Sequence, residues 1–221
     1  METRTAVVFG ATGLIGSSLI EELCISDSYN LIKIFIREKS IHSGKEKIQE
    51  FIIDFNKLPD YSELITGNDL FICLGTTIKK AGSVTRMEEI DKDLPVRISS
   101  IASVNGASRL AVVSSLGADR GSSNYYLRIK GEMETEILAL NYDTIAIVRP
   151  SILLGERKEK RPGEEIGKAL IKIFGVFLSG KFLKYRGIEG RDVAKAMIRI
   201  LKEESGKQIY ESDRLQKISK Y

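Results

Sequence analysis

The chain has one histidine, His42, and two cysteines, Cys24 and Cys73, in 221 residues. With no second histidine and no cysteine close to it, His42 cannot anchor a histidine-based metal site, which needs about three or four protein ligands. No metal is expected. A Ser-His-Asp hydrolase would have to take its base from the polar stretch Ser40-Ile41-His42-Ser43-Gly44, and that class is set aside too. The cysteines fall in an expected helix and an expected strand, where small buried thiols are ordinary, and they read as reduced and structural. Met1-Glu2-Thr3-Arg4 does not open onto a signal-peptide apolar core. No apolar run approaches the roughly 18 residues of a spanning helix. These absences give the expectation of a soluble, cytoplasmic protein with no membrane partner.

No Pro/Gly/Ser-rich linker, repeat or low-complexity stretch divides the chain. Its 43% hydrophobic content is enough to bury one core. The formal charge of +4 comes from well-mixed acids and bases, and even the densest basic run, Arg157-Lys158-Glu159-Lys160-Arg161, contains an acid. A nucleic-acid partner is therefore not expected.

What the chain does have is alternation. Apolar runs at about 5–9, 31–36, 48–54, 69–74, 109–114 and 143–148 read as strands. Helical stretches are expected at about 14–25, 60–66, 85–105, 124–141, 164–179 and 190–204. In the last of these, Val193, Ala196, Met197, Ile200 and Leu201 form one core-facing stripe. Strands alternating with helices predict an α/β fold: one Rossmann-like domain over 1–221, a doubly wound parallel sheet with helices on both faces. A small substrate-side region is expected within about 151–190. In such sheets ligands bind beyond the carboxyl ends of the strands, so chemistry is sought just after each one.

After the first strand comes Gly10-Ala11-Thr12-Gly13-Leu14-Ile15-Gly16. Gly10 allows a sharp turn, Gly13 lets backbone N–H groups approach a pyrophosphate, and Gly16 lets the next helix pack closely on the strand. The free N–H groups of that helix, near Leu14 and Ile15, together with its partial positive charge, suit an anion. A glycine-rich turn that binds nothing is the bland alternative. The βαβ context argues for a dinucleotide cradle comprising Gly10, Thr12, Gly13, Leu14 and Ile15.

After the second strand come Arg37 and Glu38. A carboxylate there would hold the ribose hydroxyls of NAD, whereas an arginine suits the 2′-phosphate of NADP. The bidentate reach of a guanidinium toward phosphate favours NADP, with NAD the lesser choice. Asp54 and Phe55, ending the third strand, are placed to meet the adenine. A strand-end Asp capping a turn is an equally open reading. After the fourth strand, Leu74 and Gly75 let backbone pass close to the cofactor's ribose and nicotinamide side.

Ser114 and Ser115 end the fifth strand, and Tyr126 and Lys130 lie in the helix that follows. Four residues apart on a helix, Tyr126 and Lys130 share a face, and Tyr125 points elsewhere. An ammonium beside a phenol favours the phenolate, so this tyrosine is suited to exchange the proton that accompanies hydride transfer. A strand-end serine would hold the substrate oxygen, and the choice between Ser114 and Ser115 stays open.

The blocks Gly10-Ala11-Thr12-Gly13, Asp54-Phe55, Cys73-Leu74-Gly75-Thr76-Thr77, Ser114-Ser115, Gly117-Ala118-Asp119, Tyr126-Leu127, Lys130-Gly131-Glu132, Arg149-Pro150 and Arg161-Pro162-Gly163-Glu164 follow one another along nearly the whole chain. In that order they resemble the short-chain dehydrogenase/reductase superfamily, and within it the atypical branch of Tat-interacting-protein-type oxidoreductases. The resemblance implies an NADPH-binding Rossmann fold in which Tyr126 exchanges the proton, Lys130 holds the ribose and lowers the tyrosine pKa, and one of the two serines assists. It also implies Arg37 at the 2′-phosphate, Leu74 and Gly75 along the cofactor, and Pro150 through Ile152 to Leu153 beside the nicotinamide. The function expected is reduction of a carbonyl, or oxidation of the alcohol, of an unidentified small molecule. The alternatives are a non-catalytic NADPH-responsive regulator acting on a protein partner and, less favoured for want of a sugar-nucleotide domain, a nucleotide-sugar epimerase.

Overall fold

Ala6-Val7-Val8-Phe9 is wholly buried, with Ala6 and Val8 packed in the core on one face of the sheet and Val7 and Phe9 in the core on the other. A strand covered on both sides belongs at the centre of a parallel sheet flanked by helices. In the computed structural model, which describes residues 3–155 and 180–220, this run forms β1 (Arg4–Phe9). The order continues α1 (Leu14–Ile25), β2 (Tyr29–Ile36), β3 (Ile48–Ile52), a 3-10 segment (Phe55–Leu64) and β4 (Asp69–Ile72). Next come α2 (Ile78–Ala81), α3 (Val84–Glu88), a π turn (Glu89–Asp93), α4 (Leu94–Val104), β5 (Arg109–Val113), α5 (Tyr125–Leu138) and β6 (Thr144–Arg149). The remaining described elements are β7 (Leu153–Leu154), β8 (Ile188–Glu189), α6 (Gly190–Glu203), β9 (Gly206–Glu211) and α7 (Ser212–Ile218).

Seven strands form one sheet in the order β3-β2-β1-β4-β5-β6-β9, every neighbouring pair parallel. The α/β, doubly wound reading holds. One core joins the α1 side chains Ile15, Leu19 and Leu23 to Val193, Met197, Ile200 and Leu201 of α6, which is the predicted stripe. The other joins Ile98 of α4 to Met133 and Ile137 of α5.

The register aligns the strand ends. Phe9 lies opposite both Phe35 and Ile72, Ile36 opposite Ile52, Ile72 opposite Val112, and Val113 opposite Val148. The chain therefore leaves the sheet at Gly10, Arg37, Ile53, Cys73, Ser114 and Pro150 along one edge. Strand order reverses between β1 and β4, and the crevice of such a sheet opens there.

Several expected elements differ in form. The helix expected at 60–66 is the 3-10 segment, which starts earlier because Asp54 caps it and carries Pro59 inside. The helix expected at 85–105 is one continuous helical run over 84–104, right-handed at each junction, that widens into the π turn between α3 and α4, with Pro95 at the start of α4. Strand β9 and helix α7 are additions. The helix expected at 164–179, the basic run 157–161 and the block Arg161–Glu164 lie outside the described residues. Of the expected region 151–190, the described part contains β7 paired in parallel with β8 and a 3-10 turn, Gly180–Tyr185.

Candidate cofactor-binding and active site

The turn after β1 is built around contacts that a side chain would break. Gly10 has φ +84°, and a Cβ there would meet the Cys73 carbonyl group at 2.6 Å. A Cβ on Gly16 would lie 2.0 Å from the Gly10 carbonyl oxygen, so α1 packs directly on the turn. Gly13 differs from both. A Cβ there would come no nearer than 3.4 Å to any atom of the described residues, and it would project into the cradle rather than into the fold. Thr12 and Gly13 are exposed. Gly13 caps α1 in extended conformation without a side-chain hydrogen bond, which leaves the first-turn N–H groups directed at the crevice. Leu14 is half-buried against Gly155 and Gly190, while Ile15 is buried in the core and offers only backbone. An open cradle with uncapped donors fits a pyrophosphate.

Arg37 and Glu38 are exposed at the end of β2, and Arg37 makes no hydrogen bond or ion pair among the described residues. Asp54 accepts a hydrogen bond from the Asn56 N–H at 2.9 Å, so one of its oxygens serves the turn-capping reading. Phe55 packs edge-on against Phe9 with ring centroids 6.2 Å apart. Beyond β4, the Cys73 N–H extends the ladder to the Phe9 carbonyl at 2.8 Å. Burial pushes the Cys73 thiol up to about 12, which disfavours the thiolate. Leu74 packs on the second core, and Gly75 faces the carboxylate of Asp91, from which a Cβ would be 3.4 Å away.

Helix α5 opens with Asn124 capping the Leu127 N–H. This sets the phase in which Tyr126, Lys130 and Glu134 follow one another at four-residue intervals down one face. Tyr125 is turned aside and donates its hydroxyl to Glu88, with Arg128 over its ring. The Tyr126 hydroxyl has no hydrogen-bond partner among the described residues. Lys130 is 2% exposed and forms an ion pair with the fully buried Asp91 at 2.9 Å. Burial lowers the Lys130 pKa, but Asp91 and the Tyr126 phenol more than offset this, and the ammonium is held above its usual range. Its hydrogen bonds run to the Asp91 carbonyl at 3.3 Å and the Val113 carbonyl at 3.5 Å. Pro95 has no N–H to give the carbonyl four residues back, that of Asp91, and Lys130 takes that acceptor instead. Asp91 also accepts the Thr76 N–H at 3.0 Å, linking the loop after β4 to the Tyr126 helix.

The two serines are placed differently. Ser114 is buried and donates to Glu134, itself held by Arg149 through Nε at 2.9 Å and through a second guanidinium nitrogen. Among the described residues the Ser115 hydroxyl has only a long contact, 3.4 Å, to the Leu116 carbonyl. Pro150 is buried, and its carbonyl accepts the Leu116 N–H at 3.1 Å. Ile152 is 37% exposed. Sequence reasoning missed Asp91, Glu134 and Arg149 as parts of this arrangement. Only Glu134 carried a local signal, since it extends the Tyr126-Lys130 spacing by one more turn.

The profile of a family described as NAD(P)H-binding matches residues 10–204. The chain belongs to this family. Its relatives include Protein HTATIP2 of Rattus norvegicus, 32% identical over 178 residues that cover 79% of this chain and 72% of the relative. A mitochondrial protein, FMP52 of Candida glabrata, is 31% identical over 218 residues, covering 94% and 89% of the two chains. The resemblance to Tat-interacting-protein-type members is therefore borne out. Among solved structures, the Bordetella bronchiseptica enzyme WbmG in complex with NAD superposes with a TM-score of 0.70 at 10% identity, over 99% of this chain and 77% of that one. At that identity it shows the Rossmann-like fold alone. These comparisons do not separate NADP from NAD. Among the described residues no helix is long and apolar enough to cross a membrane. The name of the fungal relative includes "mitochondrial", so cytoplasm stands as an expectation from sequence only.

Proposed function

We propose that the protein is an NADPH-dependent oxidoreductase that reduces a carbonyl, or oxidises the corresponding alcohol, of a small molecule. The observation that carries this reading is Tyr126, whose hydroxyl has no partner among the described residues and lies on the α5 face that also presents the buried, charged Lys130. Carbonyl reduction needs hydride at carbon, which NADPH supplies when bound, and a proton at oxygen. Tyr126 holds that proton, and the Lys130 ammonium stabilises the phenolate left after its transfer. Ser115, with its hydroxyl uncommitted, is the serine suited to the substrate oxygen, and Ser114 fixes the strand end through Glu134. Gly10, Thr12, Gly13 and the first turn of α1 would hold the pyrophosphate and Arg37 the 2′-phosphate. Asp54 with Phe55 would meet the adenine, and Leu74, Gly75, Pro150 and Ile152 would line the nicotinamide half.

One observation favours a second reading, that of an NADPH-binding regulator without catalysis. Among the described residues Lys130 is held inside the protein by the Asp91 ion pair and by the Asp91 and Val113 carbonyls, as a purely structural lysine is. The Tyr126→Phe variant separates the two. For an oxidoreductase, NADPH affinity should change little while turnover on a panel of aldehydes, ketones and quinones falls by about 10²–10⁴. Full activity in the variant removes Tyr126 from the chemistry, and a wild type that binds NADPH but turns over nothing on the panel supports the regulator.

A further inference from the structure

The connection from β2 to β3 carries Arg37 and contains groups that proton and hydride transfer do not use. Glu50 lies in the middle of β3, opposite Ile34 of β2, and its Oε1 accepts both the Ser40 N–H at 3.0 Å and the Ser40 hydroxyl at 2.6 Å. Burial raises the Glu50 pKa, but the Ser40 bonds hold it below the usual carboxylate range, so it is ionised at neutral pH. The Ser40 hydroxyl in turn accepts the His42 N–H at 3.1 Å, and the His42 side chain is 1% exposed, plugged beneath the connection. The backbone continues in turns from Lys45 N–H to the His42 carbonyl and from Ile48 N–H to the Lys45 carbonyl. On the other side, the Ile53 N–H fixes the Ile36 carbonyl at 2.9 Å. Arg37-Glu38-Lys39 is therefore a three-residue exposed span fixed at both ends, by the sheet at Ile36 and by Glu50 at Ser40.

We propose that the Glu50–Ser40 clamp makes Arg37 a reader of the 2′-phosphate, so that Glu50 is a positioning residue for cofactor specificity. The proposal rests on the NADPH reading above. Its physical basis is preorganisation: an arginine on a span already ordered loses less freedom when it binds a phosphate. Coulomb's law alone predicts the opposite effect of removing Glu50, since deleting a carboxylate near a phosphate site should improve binding of the more anionic cofactor. The sign of the change therefore discriminates.

The test is fluorescence titration of NADPH and of NADH against the full-length wild type, Glu50→Ala and Ser40→Ala, with circular dichroism as the check on folding. The expected result is a loss of NADPH affinity of about tenfold in Glu50→Ala, a smaller loss in Ser40→Ala, and an NADH affinity unchanged within about twofold in both. If Glu50→Ala does not fold, Ser40→Ala, which keeps the carboxylate, decides alone. Equal losses for both cofactors, an unchanged preference or a gain for NADPH would overturn the clamp. A wild type without preference overturns the NADPH reading and the clamp together, whereas a wild-type preference that both substitutions leave undiminished overturns the clamp alone.

Discussion

His42 is buried although the stretch of sequence around it is mostly polar. Lys45 Nζ lies 3.4 Å from Nδ1, and Nε2 is buried with no hydrogen-bond partner among the described residues. Burial first, then the Lys45 charge, hold the imidazole pKa below its ordinary 6.5, although Glu21 and Glu50 pull the other way. The unfolded chain therefore binds the proton more readily than the folded one. The stability contributed by the neutral ring is complete above about 6.5 and is lost as pH falls from there through the folded value, with a slope of at most about 1.4 kcal/mol per pH unit. In His42→Phe this part of the acid limb should be absent. Urea denaturation of both proteins between pH 7.5 and pH 5 checks it, and parallel curves would remove His42 from the acid response. At this scale the sequence is legible where partners are local. Tyr126 and Lys130 share a helix face, and their spacing alone brings them together. Asp91 meets Lys130 across 39 residues, Arg149 meets Glu134 across 15 and Ser114 meets it across 20, so no local pattern announces them.

At the scale of the element, α1 shows that glycines of one motif have separate tasks. Gly16 is required by packing, since its Cβ would drive into the Gly10 carbonyl, while Gly13 leaves space that the described residues do not fill. Gly16→Ala should therefore destabilise the fold by about 1–3 kcal/mol, in the range of overpacked sites. Gly13→Val should melt close to wild type yet lose NADPH binding. Thermal denaturation alongside cofactor titration tests the pair; a Gly13→Val protein with normal NADPH affinity would place the cradle elsewhere. The same scale explains which elements could be read in advance. β1, β2, β5 and β6 are apolar runs buried in the sheet, which hydrophobicity alone reveals. β9 is an edge strand in which only Tyr210 is fully buried, so Gly206-Lys207-Gln208-Ile209-Tyr210-Glu211 carries almost no strand signal and forms only because β6 offers an open edge. The helical pattern over 85–105 is real, but the π turn within it, just before Pro95, is not legible there, because its Asp91 meets Lys130 of another helix.

At the scale of the molecule, the sheet order brings segments from all along the chain to one edge. The cradle, the Arg37 span, the Asp91–Lys130 pair and the Ser115 loop are each anchored to a different strand end, so a dinucleotide lying across them would bridge β2, β1, β4 and β5. A ligand that binds only when those strands are in register binds the folded state and not the unfolded one, and it stabilises the whole domain by mass action. At a concentration about 100 times its dissociation constant, NADPH should add about 2.7 kcal/mol. For a protein of this size that raises Tm by about 5–10 °C. If Arg37 contributes a charge-assisted contact of about 1.5–3 kcal/mol, NADH at the same concentration should give less than half that stabilisation. Arg37→Ala should then bring the two cofactors' shifts together by reducing the one from NADPH. Differential scanning fluorimetry of wild type and variant with each cofactor reads all four values. Equal wild-type shifts would return the ribose to Glu38, and a difference that persists in Arg37→Ala would move recognition of the 2′-phosphate to another cation on the same edge.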